Sequence, residues 1–452
     1  MLWRAPWMQE RLALLALALG DLIAVLLSYN VVYWRRLGDW PVVSSGLSVF
    51  VFVWLGSSYL FGRYSARPAQ RNLSFQLLRL AIVVLLVLGI FVFHTWLFHI
   101  QDAGTRFRGF LIPLLVMTSG MSLLIQLLAH LQPRSHFDWL MVGTDQECSA
   151  LRTEFMSDHT MLKYLPDLHS QAEFESILFS GMLPRRFANG SAFALSENVR
   201  LHDFAVEKLL ALRAQGVQIF TLVDWCEIAL QRVPPELIDQ RWFLAAEGFN
   251  IQPGQIGWRL KRLVDLMGAF VLILFTSPLM LLAIVMIWFE DRGPVFYSQI
   301  RTGLYGERVK IWKFRSMRVD AESGGIQWAS QNDPRITRCG ALLRQLRIDE
   351  LPQLFAVMSG ELSLIGPRPE RPEFEVELEA VIPHYRIRHW IRPGLSGWAQ
   401  VNYPYGSSVE DSKAKLSFDL FYIRNAGFWL DALIVLKTIR LLAGAKGAQP
   451  RP

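Results

Sequence analysis

The sequence predicts a membrane α plus α/β fold: four transmembrane helices, a small degenerate nucleotide-fold-like α/β domain, and a mixed α/β domain joined to a further membrane helix. Three observations predict it. Of the 452 residues, 52% are hydrophobic and mean hydropathy is +0.26, too apolar for a typical soluble protein. Four apolar runs crowd the first 132 residues and a fifth lies at 263–289. Between and after them, strand-like runs alternate with helix-like ones. The domains read as 1–132, 133–250 and 251–444, with a frayed tail at 445–452.

The four runs are 12–34, 47–61, 77–98 and 110–131. Each approaches the roughly twenty residues that cross hydrocarbon, although the second is short. Asp21 interrupts the first run and is expected to face other helices or a wet cavity as a polar contact. Arg4, Arg11, Arg63, Arg67, Arg71, Arg79 and Arg134 fall on one side of the bundle; Arg35, Arg36, Arg106 and Arg108 fall on the other. That bias places both ends in the cytosol. The first run is long and lacks a small-residue cleavage site, so it reads as a span, not a cleavable signal peptide. A net charge of +7 suits anionic lipid, a nucleotide phosphate or the cytosolic flanks of spans; no nucleic-acid partner is expected. Cys148, Cys226 and Cys339 are far apart and in no metal spacing, which predicts free thiols in a reducing compartment.

In the middle segment, DWLMVGT (138–144) reads as a buried strand ending at Gly143. VEKLLALRAQGVQIFTLVD (206–224) reads as helix, glycine stop, then strand. The loop after the first strand, GTDQEC, lacks the Gly-x-Gly-x-x-Gly that lets backbone approach a pyrophosphate. A structural or assembly role is therefore expected in place of cofactor binding.

The run at 263–289 carries Ser277 and Pro278 near its middle. Proline kinks or breaks a helix interior, and a serine hydroxyl can satisfy a released carbonyl. The segment is either a kinked span or a helix that enters one leaflet, turns at Ser277–Pro278 and returns. Near the other end, 418–442 holds Asp419, Arg424, Asp431, Lys437 and Arg440, too many charges for a span. Amphipathic helices lying on the membrane face are expected there.

The densest chemistry lies at 344–353, RQLRIDELPQ. Acids in a first turn followed by proline suit a helix start, so a helix is expected from the Asp349–Glu350 pair to about Met358. Lys313 and Arg315 form a basic rim on a period-two stretch, and Arg335 and Arg338 sit in NDPRITRCG. GPRP (366–369) holds Arg368 out before Pro369, and Arg392 precedes a second rigid turn, Pro393–Gly394. Each has an ordinary reading as a solvated strand edge, cap or turn. Each also fits cations that receive a diphosphate, by arginine fork or lysine point charge.

Taken together, 293–317 (GPVFYSQIRTGLYGERVKIWKFRSM), 344–353, 359–374 (SGELSLIGPRPERPEF) and 392–406 (RPGLSGWAQVNYPYG) occur in order within 255–444. They resemble the catalytic domain of the monotopic phosphoglycosyl transferase superfamily, the polyprenyl-phosphate sugar-1-phosphate transferases or bacterial sugar transferases. WCEIALQRVPPELID (225–239) resembles, more weakly, the region before that domain in the longer members. The resemblance implies that Asp349 attacks the sugar-bearing phosphate of a UDP-sugar, releases UMP, and passes the phosphosugar to undecaprenyl phosphate. Mg²⁺ is implied near Asp349 and Glu350, with Glu350 either orienting the metal or assisting a proton transfer. Lys313, Arg315, Arg335, Arg338, Arg344, Arg368, Pro369 and Arg392 are the implied substrate contacts. Arg344 precedes Asp349 by five residues, the wrong face of one continuous helix, so either the helix breaks near Ile348 or Arg344 reaches round. A re-entrant helix at 263–289 keeps the site on the cytosolic face of a bacterial inner membrane, at the first membrane step of capsule, exopolysaccharide or O-antigen synthesis. A homodimer or larger oligomer is expected. Two competing readings are a non-catalytic scaffold of a polysaccharide assembly complex and a glycosyltransferase that releases UDP.

Overall fold

The computed structural model of the protein describes residues 6–38, 45–64, 73–97, 107–131, 139–157, 167–180, 192–246, 248–249, 255–321, 333–403 and 408–443. Arg4, Arg67, Arg71, Arg106, Arg134, residues 404–406 and the tail at 445–452 lie outside them. There are two compact units, Met1–Phe137 and Asp138–Pro452.

The first unit holds helices α1 (Pro6–Leu37), α2 (Ser45–Leu60), α3 (Leu73–Leu97) and α4 (Ile112–Leu131), the last entered through a π-turn at Phe107–Leu111. Val25, Phe50, Trp54, Val83 and Leu114 pack at its centre, while Leu15, Phe52 and Leu85 face outward. Apolar side chains on both inner and outer faces are what a bundle in lipid requires. Asp21 does face other helices. Its carboxylate accepts from Trp54 Nε1 (3.3 Å), Tyr64 Oη (2.9 Å), Arg63 Nη1 (3.4 Å) and Ser122 Oγ. Arg63, expected at the membrane edge, is thus buried inside the bundle.

Among the described residues, four helices are long and apolar enough to cross a membrane: Leu14–Arg36, Gln76–Phe93, Arg108–Leu128 and Ile256–Asp291. The protein is a membrane protein. The second expected span, α2, has only 16 residues, about 24 Å at 1.5 Å per residue.

The second unit opens with a parallel sheet of order β2-β1-β3-β4: β1 (Trp139–Val142), β2 (Asp167–His169), β3 (Ala192–Leu195) and β4 (Gln218–Thr221). Helices α5 (Asp145–Ser157), α6 (Gln171–Ser180) and α7 (Asp203–Ala214) make the connections, as parallel strands demand. Gly216, at φ +93°, ends α7 where a glycine stop is expected. Where the GTDQEC loop passes from β1 into α5, Glu147 closes a capping box: it accepts from Thr144 N (2.8 Å), and its own N donates to Thr144 Oγ1 (3.3 Å). Its other oxygen accepts from Ser196 Oγ (2.8 Å) and Asn198 Nδ2 (2.9 Å) beyond β3. The protein's own carboxylate therefore satisfies donors at the β1/β3 crest.

Helices α8 (Leu222–Leu230) and α9 (Gln240–Ala245) tie this sheet to the remainder of the unit. Then comes α10 (Ile256–Asp291), 36 residues of helix containing Pro278, with Ser277 Oγ donating to the Leu274 carbonyl (2.9 Å). Its buried residues, Asp265, Ala269, Met280, Ala283 and Ile287, share one stripe; Phe270, Leu274, Phe275, Leu281 and Phe289 are exposed. The stripe packs on Leu354 and Val357 in its first half and on Phe314, Leu343 and Ile348 in its second.

On that stripe sit the antiparallel hairpin β5 (Phe296–Thr302) and β6 (Arg308–Phe314), helices α11 (Arg338–Gln345), α12 (Gln353–Ser359) and α13 (Pro372–Val381), and the parallel pair β7 (Ser363–Ile365) and β8 (Gly394–Ser396). Helices α14 (Trp398–Asn402), α15 (Val409–Asn425) and α16 (Phe428–Ala443) complete the unit. Helix α15 departs from the expected membrane-surface role. Its Leu416–Ile423 stretch is buried, because its charges have protein partners: Asp419 with Arg388 (3.2 Å) and Arg424 with Glu227 (2.5 Å). Helix α16 keeps an exposed apolar set, Phe428, Trp429, Leu436 and Ile439, while Lys437 donates to Asn402 Oδ1 (2.5 Å) and Asp431 pairs with Lys261 (2.7 Å).

Candidate active site

The acidic pair sits where the helix breaks. Helix α11 stops before Leu346, Arg347 takes a left-handed conformation (φ 59°, ψ 21°), and Ile348–Glu350 forms a 3₁₀ turn ahead of α12. The expected single helix from Asp349 is therefore a 3₁₀ turn followed by an α-helix that begins after Pro352. Ile348 is buried against Met280, Ala283, Ile287, Phe314 and Leu343, so the apolar residue before the pair anchors it to α10. The opposite end of α12 is capped from α10 as well. Arg262 donates to the Val357 and Met358 carbonyls (2.6 and 2.9 Å), and Arg392 Nε donates to the Gly360 carbonyl (2.9 Å).

Asp349 and Glu350 have opposite surroundings. Glu350 Oε1 accepts from Arg368 Nη2 (2.7 Å) and Lys313 Nζ (3.1 Å), and Oε2 lies 3.6 Å from Arg347 Nη1. Burial pushes its carboxyl up, but Arg368, Lys313 and Arg347 outweigh that and hold it well below the usual carboxylate range. Asp349 is only 8% exposed, and its Oδ1 has no hydrogen-bond partner. Burial and then the Glu350 charge push its carboxyl up to about 6, against Lys313, Arg344 and Arg347. The neighbours thus divide: one carboxylate is spent holding cations, and the other keeps a bare oxygen within the same positive field.

The remaining expected contacts are distributed as follows. Arg344 Nε donates to Ser316 Oγ (2.9 Å), and the break at Arg347 lets its charge act on Asp349 from the end of α11. Arg315 pairs with Asp291 at the end of α10. Arg335 forks onto Asp333 (2.8 and 2.6 Å). Arg338 is exposed at the start of α11. Pro369 presents its carbonyl to Arg301 Nη1 (3.3 Å). Arg392 stacks 4.3 Å over the Trp258 ring while it caps α12. The structure thus gathers Lys313, Arg344 and Arg368 at the pair, whereas the contacts described above for Arg315, Arg335 and Arg392 lead elsewhere.

Arg347 lies within 344–353 but carries no sequence signal of its own. A non-glycine residue at positive φ leaves no periodic trace. The two rigid turns also prove to be one construction. A Cβ on Gly394 would lie 2.1 Å from Gly366 N, and one on Gly366 would lie 2.4 Å from the Arg392 carbonyl. Glycine at both places lets β7 and β8 run back to back, with Gly394 N donating to the Pro367 carbonyl (2.8 Å).

Among the described residues no group of three or more His, Cys, Asp or Glu side chains is placed to hold a metal. A hard cation that keeps waters and substrate phosphates needs only one or two carboxylates, and Asp349 Oδ1 is a bare, buried oxygen of that kind. Glu350 fits less well, since cations surround both of its oxygens.

Residues 256–444 match the family described as bacterial sugar transferase. Over 200 residues the chain is 45% identical to the UDP-N-acetylgalactosamine-undecaprenyl-phosphate N-acetylgalactosaminephosphotransferase of Aeromonas hydrophila, covering 44% of this chain and 47% of that one. It is 42% identical over 191 residues to the UDP-glucose:undecaprenyl-phosphate glucose-1-phosphate transferase of Xanthomonas campestris pv. campestris, covering 42% of this chain and 40% of that one. It is 37% identical over 190 residues to the uncharacterized sugar transferase EpsL of Bacillus subtilis (strain 168), covering 42% of this chain and 90% of that one. The matched segment therefore spans less than half of each of the first two relatives.

Proposed function

The chain belongs to the bacterial sugar transferase family, and from that premise we propose that it transfers a sugar 1-phosphate from a UDP-sugar to undecaprenyl phosphate and releases UMP. The names of the Aeromonas and Xanthomonas relatives supply the donor and acceptor classes. The observation that carries the reading is Asp349: a buried carboxylate with one unpartnered oxygen, set among Lys313, Arg344, Arg347 and Arg368.

In the first step Asp349 Oδ1 attacks the phosphorus that bears the sugar. The bond from that phosphorus to the bridging oxygen breaks, UMP leaves with the electron pair, and an aspartyl-phosphosugar remains. In the second, an oxygen of the lipid phosphate attacks the same phosphorus, the aspartyl bond breaks, and the carboxylate is restored. Lys313 and Arg368 are fixed by Glu350 so that cationic charge faces the transferring group without reorganisation. Glu350, ionised and enclosed, is a positioning carboxylate in this scheme. Asp349 is the residue that would hold Mg²⁺ here, and the ion would supply further charge neutralisation for the diphosphate.

The site belongs at the cytosolic face of the inner membrane, where nucleotide sugars are found. Helix α10 is proposed as re-entrant, its Ser277–Pro278 region dipping into one leaflet. The supporting feature is that both ends return to the same domain: Arg262 to Val357 and Asp265 to Ser363 (2.8 Å), Glu290 to the Cys339 amide (3.1 Å) and Asp291 to Arg315. The exposed apolar face of α16 would lie on that membrane surface. A first membrane step of capsule, exopolysaccharide or O-antigen synthesis and a homo-oligomer complete the reading.

The test uses full-length protein in detergent with a panel of UDP-sugars, Mg²⁺ and undecaprenyl phosphate. UMP release by wild type, its loss in Asp349→Asn, and a phosphosugar adduct in intact-mass spectra when acceptor is withheld are expected. UDP as the product would replace this reading with a simple glycosyl transfer. No turnover of any donor, with Asp349→Ala still functional in cells, would point to the scaffold.

A further inference from the structure

The loop that carries Arg368 is held at four successive carbonyls. Pro367 O accepts from Gly394 N (2.8 Å), Arg368 O from Arg388 Nη2 (2.9 Å), Pro369 O from Arg301 Nη1 (3.3 Å) and Glu370 O from Thr302 N (3.0 Å). Backbone makes two of these bonds. Of the two made by side chains, the one at Arg368 itself comes from a buried guanidinium, 6% exposed. Arg388 lies on a 3₁₀ turn, Tyr385–Trp390; it also donates to Asp419 Oδ2 (3.2 Å) on α15 and to the Tyr385 hydroxyl. Continuous contacts thus run from Asp419 through Arg388 and the Arg368 backbone to the Arg368 side chain on Glu350, beside Asp349.

We propose that Arg388 and Asp419 are positioning residues for phosphosugar transfer, which set Arg368 against Glu350 without touching substrate. The inference rests on the reading of Asp349–Glu350 as the transfer site. Net stability is a poor explanation for a buried Arg–Asp pair, because desolvation offsets much of the attraction and apolar residues of similar volume often serve as well. This pair is also incompletely satisfied, since Asp419 Oδ1 has no partner. Its placement is better explained by what it aims. Lysine at 388 retains the charge and donates from a single nitrogen in place of the guanidinium fork; methionine retains only the bulk.

The experiment is a double-mutant cycle on UMP release by full-length protein, with thermal unfolding measured in parallel. Arg388→Met is expected to lower kcat/KM for the UDP-sugar about tenfold or more in the wild-type background, but less than about twofold in Arg368→Ala. Arg388→Lys should recover part of the loss, and Asp419→Asn should repeat the pattern more mildly. Equal losses in both backgrounds would overturn the proposal, as would full activity in Arg388→Met. If Arg388→Met does not fold, the Asp419→Asn and Arg388→Lys cycles decide in the same way. Wild-type protein that releases no UMP would instead overturn the underlying reading, a separate result.

Discussion

Arg368 Nη2 lies 2.7 Å from Glu350 Oε1, and Lys313 shares that oxygen at 3.1 Å. One carboxylate therefore organises two cations while its neighbour keeps a bare oxygen. Glu350→Gln removes the charge that gathers them and the charge that raises the Asp349 carboxyl. UMP release should fall about a hundredfold to a thousandfold, the range seen when one charge-stabilising group is removed. The acid limb of the remaining activity should move to lower pH, because Asp349 then ionises more easily. A pH–rate profile that shifts upward would contradict this assignment.

On the proposed mechanism the same carboxyl should set the acid limb of wild-type UMP release. With Asp349 pushed up to about 6, the attacking carboxylate is mostly present at pH 7, and the first step should halve near pH 6. Stability runs the other way. A carboxyl raised on folding binds its proton more tightly in the native state, so its contribution is fullest below pH 4 and is lost as pH rises through 6. At about 1.4 kcal/mol per unit of displacement, ionised Asp349 costs the fold on the order of 1–3 kcal/mol at neutral pH. Asp349→Asn should therefore be inactive yet unfold at a higher temperature at pH 7.5. That gain should shrink toward pH 4.

The glycine approach beneath the Arg368 loop is a sensitive backbone feature. Gly394→Ala places a Cβ 2.1 Å from a backbone nitrogen, which no side-chain rotation relieves. It should lower the midpoint of thermal unfolding by several degrees and suppress UMP release as β7 and β8 separate. Gly89→Ala in α3, with nothing within 4 Å of the added Cβ, should be neutral or slightly stabilising.

In the membrane bundle, Asp21 and Arg63 answer each other at 3.4 Å with both side chains nearly inaccessible. Removing one leaves the other buried and uncompensated, a loss of about 3–5 kcal/mol. Asp21→Leu should sharply reduce protease resistance of the bundle, and adding Arg63→Met should restore much of it. A double variant no better than the single would show that the hydrogen bonds of Asp21 to Trp54, Tyr64 and Ser122 matter more than the charge pair.

Much of this was legible in the residues. The apolar runs gave α1, α3 and α4 because hydropathy over some twenty residues has few other uses, and the glycine at 216 ended α7 for the steric reason expected. The acidic pair stood out as adjacent acids before a proline, between apolar Ile348 and Leu351, within an ordered series of family-like blocks. Other features were hidden because they depend on non-local partners. Asp419 looked like one charge on a membrane-surface helix until Arg388, 31 residues away, was seen to pair with it. Arg63 counted as a flank residue until Asp21 drew it inside.

Arg368 and Arg392 looked alike in sequence, each an arginine on a proline-stiffened turn. Their contacts predict different phenotypes. Arg368 reaches Glu350, so Arg368→Ala should raise the KM for UDP-sugar and lower kcat with little change in unfolding temperature. Arg392 is committed to the Gly360 carbonyl and the Trp258 ring, joining the end of α12 to the start of α10. A lost cap is worth about 0.5–2 kcal/mol and a cation–π contact about 0.5–2 kcal/mol. Arg392→Ala should therefore lower the unfolding temperature by a few degrees, while the protein that stays folded keeps a near-normal donor KM. Initial rates over a donor series, set beside unfolding curves of the same preparations, separate the two. A donor KM raised equally in both variants, with stability intact, would return Arg392 to the substrate.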